Sequence, residues 1–243
     1  MRIAIVSDVH GNFPALQAVV ADLERERPEL VVHGGDLALT GPQPADVVDL
    51  VRELEWPGVV GNTDELLWRP ELRAPLQEAS PGLGPLLELL FEDYAPVTRG
   101  RLGEERIEWL RGLPEEWRSG DDLALLHAAP GDLWKAPMPD ADDEELREAY
   151  GKLRAELVVY CHIHQPFVRE LGNGLTVANC GSVGMPFDGD PRASYLIVDD
   201  GEASVRRVEY DVERHVAALS DPGYPDVERL TRIAREGRFV APA

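Results

Sequence analysis

The chain has little cysteine, no long apolar run and few positive charges for its length. Its 243 residues include two cysteines, too few for the disulfide framework that stabilises small secreted domains. No segment approaches the roughly 18 consecutive apolar residues that a membrane-spanning helix requires. The apolar run after Met1 is also too short for a secretory signal peptide. We therefore expect a cytoplasmic protein with no membrane partner.

Acidic residues far outnumber basic ones. The chain has 45 aspartates and glutamates against 24 lysines and arginines, which gives a formal net charge of −21. A field of this sign repels the phosphate backbone, so an extended nucleic-acid footprint is not expected. A small phosphorylated substrate remains compatible if divalent cations make its site locally positive. The composition does not indicate an oligomeric state.

Hydrophobic residues make up 44% of the chain, which favours a folded globule over a disordered polymer. We expect a single domain over residues 1–243, with a mostly helical cover segment over about 64–120. Five side chains of that segment could contact a substrate, although packing or solvation is the commoner role of such residues: Trp68, Arg69, Arg73, Arg99 and Arg101.

Five short apolar runs each end at residues that bind metal well. Arg2–Ser7 precedes Asp8 and His10, Leu30–His33 precedes Asp36, Gly58–Val60 precedes Asn62, Leu123–Leu126 precedes His127, and Leu157–Cys161 precedes His162 and His164. Short apolar runs of this kind predict buried strands of an α/β sheet, whose ligands bind beyond the carboxyl ends of the strands. The pattern therefore predicts one sheet edge with enough nitrogen and oxygen donors for two metal ions.

The order of the elements predicts the architecture. The first part of the chain alternates strands with amphipathic helical patterns, which favours a parallel sheet, and the part after Glu156 is mostly strands. We expect a four-layer αββα sandwich of the α/β class, in which two mixed β-sheets pack face to face with helices outside.

Spacing separates ligand candidates from other residues. His162 and His164 lie two residues apart, as Asp8 and His10 do, and side chains at i and i+2 of an extended chain point to the same side. Cys161 then faces away from the histidine pair and is interpreted as a core thiol. His33 is interpreted as a core residue or a support for the ligands, and His215, in a charged helix, as a surface residue.

The ordered motifs resemble those of the calcineurin-like metallophosphoesterases. They are Asp8-Val9-His10, Gly35-Asp36, Gly61-Asn62-Thr63-Asp64, His127 and His162-Ile163-His164. The loop 181–186 and the segment 188–195 are similar to those of a small bacterial branch of this family. The resemblance implies one metal held by Asp8, His10 and His164, and a second held by Asn62, His127 and His162, with Asp36 bridging both. Two divalent ions are expected, manganese before iron, zinc or nickel.

The resemblance also implies a reaction. A hydroxide bridging the two metals would hydrolyse a phosphodiester, with Asp36, Asn62, Thr63 and Asp64 as catalytic residues. Two positions depart from the wider family. Thr63 stands where many relatives carry a histidine that protonates the leaving oxygen, and Asp64 could instead orient the loop or cap the next helix. Thr40 stands where protein phosphatases and diadenosine tetraphosphate hydrolases carry a phosphate-binding arginine, which counts against those two substrate classes.

Two alternatives stay open. The chain could be a phosphomonoesterase or nucleotide phosphatase that acts on small metabolites. It could also be a metal-binding, non-catalytic interaction module, as a retromer subunit of the same fold is. A nucleophilic role for Ser182 is disfavoured, because the sequence places no base beside it and the spacing of its glycines differs from that of a nucleophile elbow.

Overall fold

The computed structural model describes residues 1–120, 122–172, 174–221 and 223–242. Within these ranges the strands are β1 (Ile3–Val6), β2 (Leu30–His33), β3 (Glu116–Ser119), β4 (Leu123–Leu126), β5 (Leu157–Tyr160), β6 (Phe167–Glu170), β7 (Thr176–Asn179), β8 (Ala193–Asp199) and β9 (Glu202–Val208).

The helices of the same ranges are α1 (Phe13–Glu26), α2 (Pro44–Glu53), α3 (Asn62–Glu65), α4 (Arg73–Ala79), α5 (Gly84–Glu88), α6 (Ala95–Leu102), α7 (Glu104–Arg111), α8 (Asp143–Tyr150), α9 (Val212–Leu219) and α10 (Val227–Glu236). Short 3₁₀ turns cover Pro70–Leu72, Pro81–Leu83 and Gly151–Leu153, and a π-helical section, Leu89–Tyr94, joins α5 to α6.

The strands form two mixed sheets. The four-stranded sheet has the order β2-β1-β8-β9, with β1 and β2 parallel and β8 antiparallel to β1. The five-stranded sheet has the order β3-β4-β5-β7-β6, in which β4, β5 and β7 are parallel and both edge strands are antiparallel to their neighbours.

Alternation along the strands divides the apolar side chains among three cores. Ile3 and Ile5 of β1 pack with Leu123 and Leu125 of β4 between the two sheets. Their neighbours in sequence point the other way, because successive side chains of a strand face opposite sides. Ala4 joins a core with the helices outside the first sheet. The alternate residues of β4 and β5 form a core with Leu146 and Tyr150 of α8. The layers are therefore helix, sheet, sheet and helix, and the predicted αββα sandwich is confirmed.

Strand register places the predicted ligands at one edge. Val6 of β1 pairs with His33 of β2, so the loops that carry Asp8 and Asp36 leave the first sheet at the same level. Leu126 of β4 pairs with Tyr160 of β5, which does the same for the loops of the second sheet. Because the sheets pack face to face, these four loops meet at the end of the sandwich.

Three details differ from the sequence-based expectations. The run Gly58–Val60 is not a strand, and it joins the first sheet only through a parallel bridge between His33 and Gly58. The end of the expected cover segment forms the edge strand β3 instead of a helix, because its backbone pairs with that of β4. His215 is 6% exposed, so the surface interpretation was wrong. It lies on the face of α9 that also buries Leu219.

His33, the last residue of β2, generates a prediction for acid stability. It is fully buried, and neither ring nitrogen has a hydrogen-bond partner in the described part of the chain. Burial lowers the pKa of His33 to about 3. The folded protein therefore keeps the ring neutral, whereas the unfolded chain takes up a proton near pH 6.5. Stability is lost as the pH falls below about 6.5 and continues to fall towards pH 3.

Replacing the ring with an apolar side chain removes this loss. Between pH 7 and pH 5, we expect the free energy of unfolding to fall by about 2 kcal/mol more in the wild type than in His33→Leu. Urea unfolding of both chelator-treated proteins at each pH measures the difference. Burial also lowers the pKa of His215, to about 4, but that residue is present in both proteins and cancels. Parallel pH profiles for the two proteins would contradict the prediction.

Candidate metal centre

Seven donor side chains meet where the loops leave the two sheets. Asp8 and His10 follow β1, Asp36 follows β2, Asn62 opens α3, His127 follows β4, and His162 and His164 follow β5. Six of these seven residues are buried, and His162 is half-buried. The structure thus brings together every residue that the sequence predicted as a metal ligand.

The backbone at these positions is unusual. Five of the seven residues have left-handed φ angles: Asp8 (55°), His10 (49°), Asp36 (52°), His162 (66°) and His164 (57°). Residues other than glycine seldom adopt this region, and they cluster there at functional sites. The loops therefore accept conformational strain that turns these side chains towards a common point.

One group of donors surrounds Asp8. The Nε2 atom of His164 lies 3.1 Å from Oδ1 of Asp8 and 3.2 Å from Nε2 of His10. Nε2 of His10 also lies 3.6 Å from Oδ2 of Asp36. Ligand atoms of Asp8, His10, Asp36 and His164 all lie within 4.8 Å of one another, which is the spacing that a single bound ion requires.

A second group surrounds Asn62. Its Oδ1 atom lies 2.8 Å from Nε2 of His127 and 2.9 Å from Nδ1 of His162. Nε2 of His127 lies 3.5 Å from Oδ2 of Asp36. The same carboxylate oxygen is thus close to one histidine of each group, and Asp36 stands between them.

Backbone carbonyls orient three of the imidazoles. Nδ1 of His10 donates to the carbonyl of Leu39 (2.9 Å), and Nδ1 of His127 donates to that of Gly34 (2.8 Å). Nδ1 of His164 lies 2.6 Å from the carbonyl of Met185. A carbonyl oxygen only accepts, so Nδ1 carries the hydrogen and Nε2 faces the centre, as in histidines that bind metals.

Electrostatics prepares most of these rings for metal. Burial lowers the pKa of His10, and burial followed by the neighbouring His127 lowers the pKa of His162 to about 4, so both rings are neutral at pH 7. Burial opposes the charge on His164, but the adjacent Asp8 outweighs it and raises the pKa of His164. Burial also opposes ionisation of Asp8, yet His164 holds the Asp8 pKa below its usual range. Without a cation these two groups form a charged pair, and metal binding would release the proton.

The donor set fits divalent transition metals. Apart from the ion pair with His164, neither carboxylate oxygen of Asp8 has a hydrogen-bond partner among the described residues, and a buried carboxylate with so few partners favours a bound cation. The mixture of imidazole nitrogens with carboxylate and amide oxygens suits manganese, iron, zinc or nickel better than magnesium or calcium.

Asp64 lies behind the centre. Its carboxylate accepts hydrogen bonds from the amides of Leu37 and Ala38 at 3.2 Å. Burial and the nearby charge of Asp36 raise the pKa of Asp64 to about 7. Its contacts favour the loop-orienting alternative, because Asp64 does not line the cavity beside the centre.

A cavity of about 220 Å³ opens beside the donors and is lined by His10, Asp36, Asn62, His162 and His164 together with Thr40 and Thr63. A larger cavity of about 490 Å³ lies at the opposite ends of the strands, against Ile3, Leu123 and Leu157. None of the predicted ligands lines that second cavity, so we assign the chemistry to the first.

The arginines proposed from the cover segment point elsewhere. Arg69 pairs with Glu65 and Glu71, and Arg73 pairs with Glu92. Arg99 donates to a backbone carbonyl, and Arg101 pairs with Asp221. Neither these four nor Trp68 lines the cavity.

Ser182 has a structural role. Its Oγ donates to the carbonyl of Asp8 and accepts from the amide of Met185, both at 2.7 Å. The hydroxyl is fully buried and links the loop after β7 to the loop after β1. This placement agrees with the sequence-based rejection of a nucleophilic serine.

Comparison with known proteins identifies the family. The model of the calcineurin-like phosphoesterase superfamily domain matches residues 1–202. The chain belongs to the calcineurin-like phosphoesterase superfamily. An uncharacterized protein of Methanocaldococcus jannaschii is 31% identical over 237 residues, which cover 87% of this chain and 89% of the relative.

Two crystal structures resemble the chain over its full length. A metallophosphoesterase from Sphaerobacter thermophilus is 28% identical, with a TM-score of 0.77 over 98% of this chain and 100% of that one. A hypothetical protein from Pyrococcus horikoshii shares the fold at 19% identity, with a TM-score of 0.84 over 98% of this chain and 99% of that one.

Several walls of the cavity were not predicted from the sequence. Trp134, Arg229 and Phe239 line it, yet none of them belongs to a motif of the calcineurin-like phosphoesterases. The strongest available signal was the amphipathic pattern of the last helix, which predicts one buried face but not what that face lies against.

Gly61 provides a test of how the centre is held. A Cβ atom at this position would lie 2.0 Å from Oδ1 of Asp36 and 2.2 Å from its amide nitrogen. We expect Gly61→Ala to displace Asp36 and weaken metal affinity by roughly 10- to 100-fold, the range found when the support of a ligand is removed. Competition with a fluorescent chelator measures the affinity.

Gly151→Ala is the matched control, because a Cβ atom there has no neighbour within 4 Å among the described residues. Unchanged metal affinity in Gly61→Ala would show that this glycine does not hold Asp36 in place.

Proposed function

We propose that this protein is a dinuclear metal-dependent phosphoesterase that hydrolyses small phosphodiesters. The supporting observation is the position of Asp36, whose Oδ2 atom lies 3.6 Å from Nε2 of His10 and 3.5 Å from Nε2 of His127. A carboxylate between two sets of donors suits a pair of adjacent cations. When bound, two divalent ions activate water as a nucleophile and bind the phosphoryl oxygens. Manganese is the first candidate, with iron, zinc and nickel as alternatives.

Thr63 is the residue of the chain best placed to assist the reaction. Its amide donates to Oδ1 of Asp36 at 2.9 Å, and its Oγ1 atom is buried with no hydrogen-bond partner among the described residues. Because Thr63 lines the cavity, the hydroxyl can donate to an ester or phosphoryl oxygen. A threonine hydroxyl is a poor general acid at neutral pH, so esters with good leaving groups are favoured.

A diester is favoured over a monoester by the charge of the site. Thr40 lines the cavity where some relatives would place an arginine, and no lysine lines the cavity in the described ranges. Arg229 does line it, but its guanidinium is held by Asp226, Val240 and Tyr94. The doubly charged phosphate of a monoester would have less compensation here than the singly charged phosphate of a diester. A phosphatase that acts on small metabolites is the alternative within the enzymes.

The chemistry of the chain supports a small substrate and a cytoplasmic location. The net charge of −21 favours a small phosphorylated substrate over an extended nucleic acid. No helix in the described ranges has the length and apolar character needed to cross a membrane. Cys161 and Cys180 are free thiols whose Sγ atoms lie 3.6 Å apart, which supports a cytoplasmic location, since reduced thiols persist in that compartment.

Metal content and turnover test the proposal together. We expect protein purified without chelator to bind about two divalent ions per chain and to hydrolyse an aryl phosphodiester faster than an aryl monophosphate with added manganese. In Asp36→Asn, which loses the carboxylate between the two groups, we expect a lower metal content and at least roughly 100-fold less turnover. Glu24→Gln, at an exposed position of α1, controls for the loss of one negative charge.

The outcome separates the function classes. If the protein binds metal but hydrolyses neither ester and none of a panel of nucleotides, the non-catalytic interaction module would be favoured. Faster turnover of the monophosphate would favour the phosphatase.

The missing acid at Thr63 can be restored. We expect Thr63→His to raise turnover of an alkyl phosphate ester relative to an aryl one by about 10-fold or more, because an imidazole can protonate a poor leaving group. Thr63→Val, which keeps the shape and removes the hydroxyl, should lower turnover of both esters. If the ratio of alkyl to aryl turnover does not rise in Thr63→His, this account of the missing acid is wrong.

A further inference from the structure

The cavity beside the metal donors is mostly apolar on its other sides. Apart from Trp134 and Arg229, its remaining lining consists of three groups of apolar residues from three parts of the chain. The helices before Tyr94 contribute Leu83, Leu86, Leu87 and Leu90; the loop after β7 contributes Met185 and Phe187; the end of the chain contributes Ile233 and Phe239. One end of the cavity therefore suits a phosphate and the other suits a group that avoids water.

The aromatic wall begins at the metal donors themselves. The ring of Phe187 stacks on the imidazole of His164, with centroids 4.4 Å apart and planes 12° apart, and Phe239 packs edge-on against Phe187. A ligand whose phosphate reaches His164 would hence place its ester group beside Phe187.

The guanidinium of Arg229, which lines the cavity, already has hydrogen-bond partners within the protein. Arg229 of α10 donates through Nε to Asp226, through Nη1 to the carbonyl of Val240 (3.0 Å) and through Nη2 to the hydroxyl of Tyr94 (2.8 Å). Its guanidinium fastens α10 and the end of the chain to the π-helical section. A ligand with a second phosphate would find poor compensation here.

Size and exposure fit one ring or a branched chain. The cavity has a volume of about 220 Å³, and an apolar cavity of about 150 Å³ is known to take up benzene. Leu83 and Phe239 also line it and are 48% and 49% exposed. Large apolar side chains so exposed at the mouth of a cavity are characteristic of a binding site.

The geometry points to substrates in which one ester group is an uncharged, ring-sized apolar group that occupies this cavity while the phosphate lies at the metal centre. This inference rests on the proposed function and narrows it. The superfamily match ends at residue 202, whereas Ile233 and Phe239 lie beyond it. Part of the apolar wall is therefore an addition to the general catalytic domain, as a determinant of specificity would be.

Binding of non-hydrolysable ligands tests the inference without turnover. Benzylphosphonate and methylphosphonate carry the same phosphonate group and differ only in the apolar part. We expect calorimetry on the metal-loaded protein to give a dissociation constant for benzylphosphonate roughly 10- to 100-fold lower than that for methylphosphonate. Equal dissociation constants in the wild type would overturn the inference.

Paired variants locate the ring. In the double variant Leu83→Ser, Phe239→Ser we expect the preference for benzylphosphonate to fall to about 3-fold or less, with the affinity for methylphosphonate unchanged. The control is Met138→Ser, Val168→Ser, which removes two apolar side chains of similar exposure, 54% and 40%, that do not line the cavity. An undiminished preference in the first double variant would overturn the inference.

The binding experiment and the turnover assay test the apolar subsite and the proposed function separately. If benzylphosphonate is preferred and no ester is hydrolysed, the apolar subsite stands and catalysis is wrong. If diesters are hydrolysed and the two phosphonates bind equally, catalysis stands and the apolar subsite is wrong.

Discussion

The structure depends on two buried carboxylates, Asp8 and Asp36, held among four imidazoles. Asp8 is fully buried, and Asp36 is 2% exposed, so each charge requires compensation inside the protein. The donor atoms around them come from both sheets and lie close enough to share cations. Strand register, left-handed loop residues and carbonyl acceptors for the histidines all serve to keep these donors converged. The fold therefore keeps the two carboxylates away from water, in positions where a bound cation would neutralise their charge.

Much of this centre could be predicted from the sequence. Each ligand lies within a few residues of the end of an apolar run, and the parallel pairing of β1 with β2 and of β4 with β5 brings such residues to one edge. The αββα layers also followed from the order of patterns. The run Gly58–Val60 was expected to be a strand but forms only a single bridge. A short apolar segment fits a strand and an extended loop equally well, so the sequence does not distinguish them.

The environment of the centre was less predictable for a physical reason. Ligand motifs are local, whereas the cavity walls come from helices far apart in the chain, and their placement depends on packing. The arginines of the cover segment offered an obvious phosphate clamp, but their carboxylate and carbonyl partners hold them elsewhere. His215 shows the same limit, since a charged helix still has one buried face and the sequence around it did not show which residue occupies that face.

The two donor groups also cross the interface between the sheets. Asp8, His10 and Asp36 follow strands of the first sheet, and His127, His162 and His164 follow strands of the second. A cation bound to both sides is a cross-link at the end of the sandwich, and ligands that bind only the native state add to its stability. Loss of the ion would thus weaken the packing of the two sheets at this end. The stability of the sandwich would then depend on the same ions as the reaction that we propose.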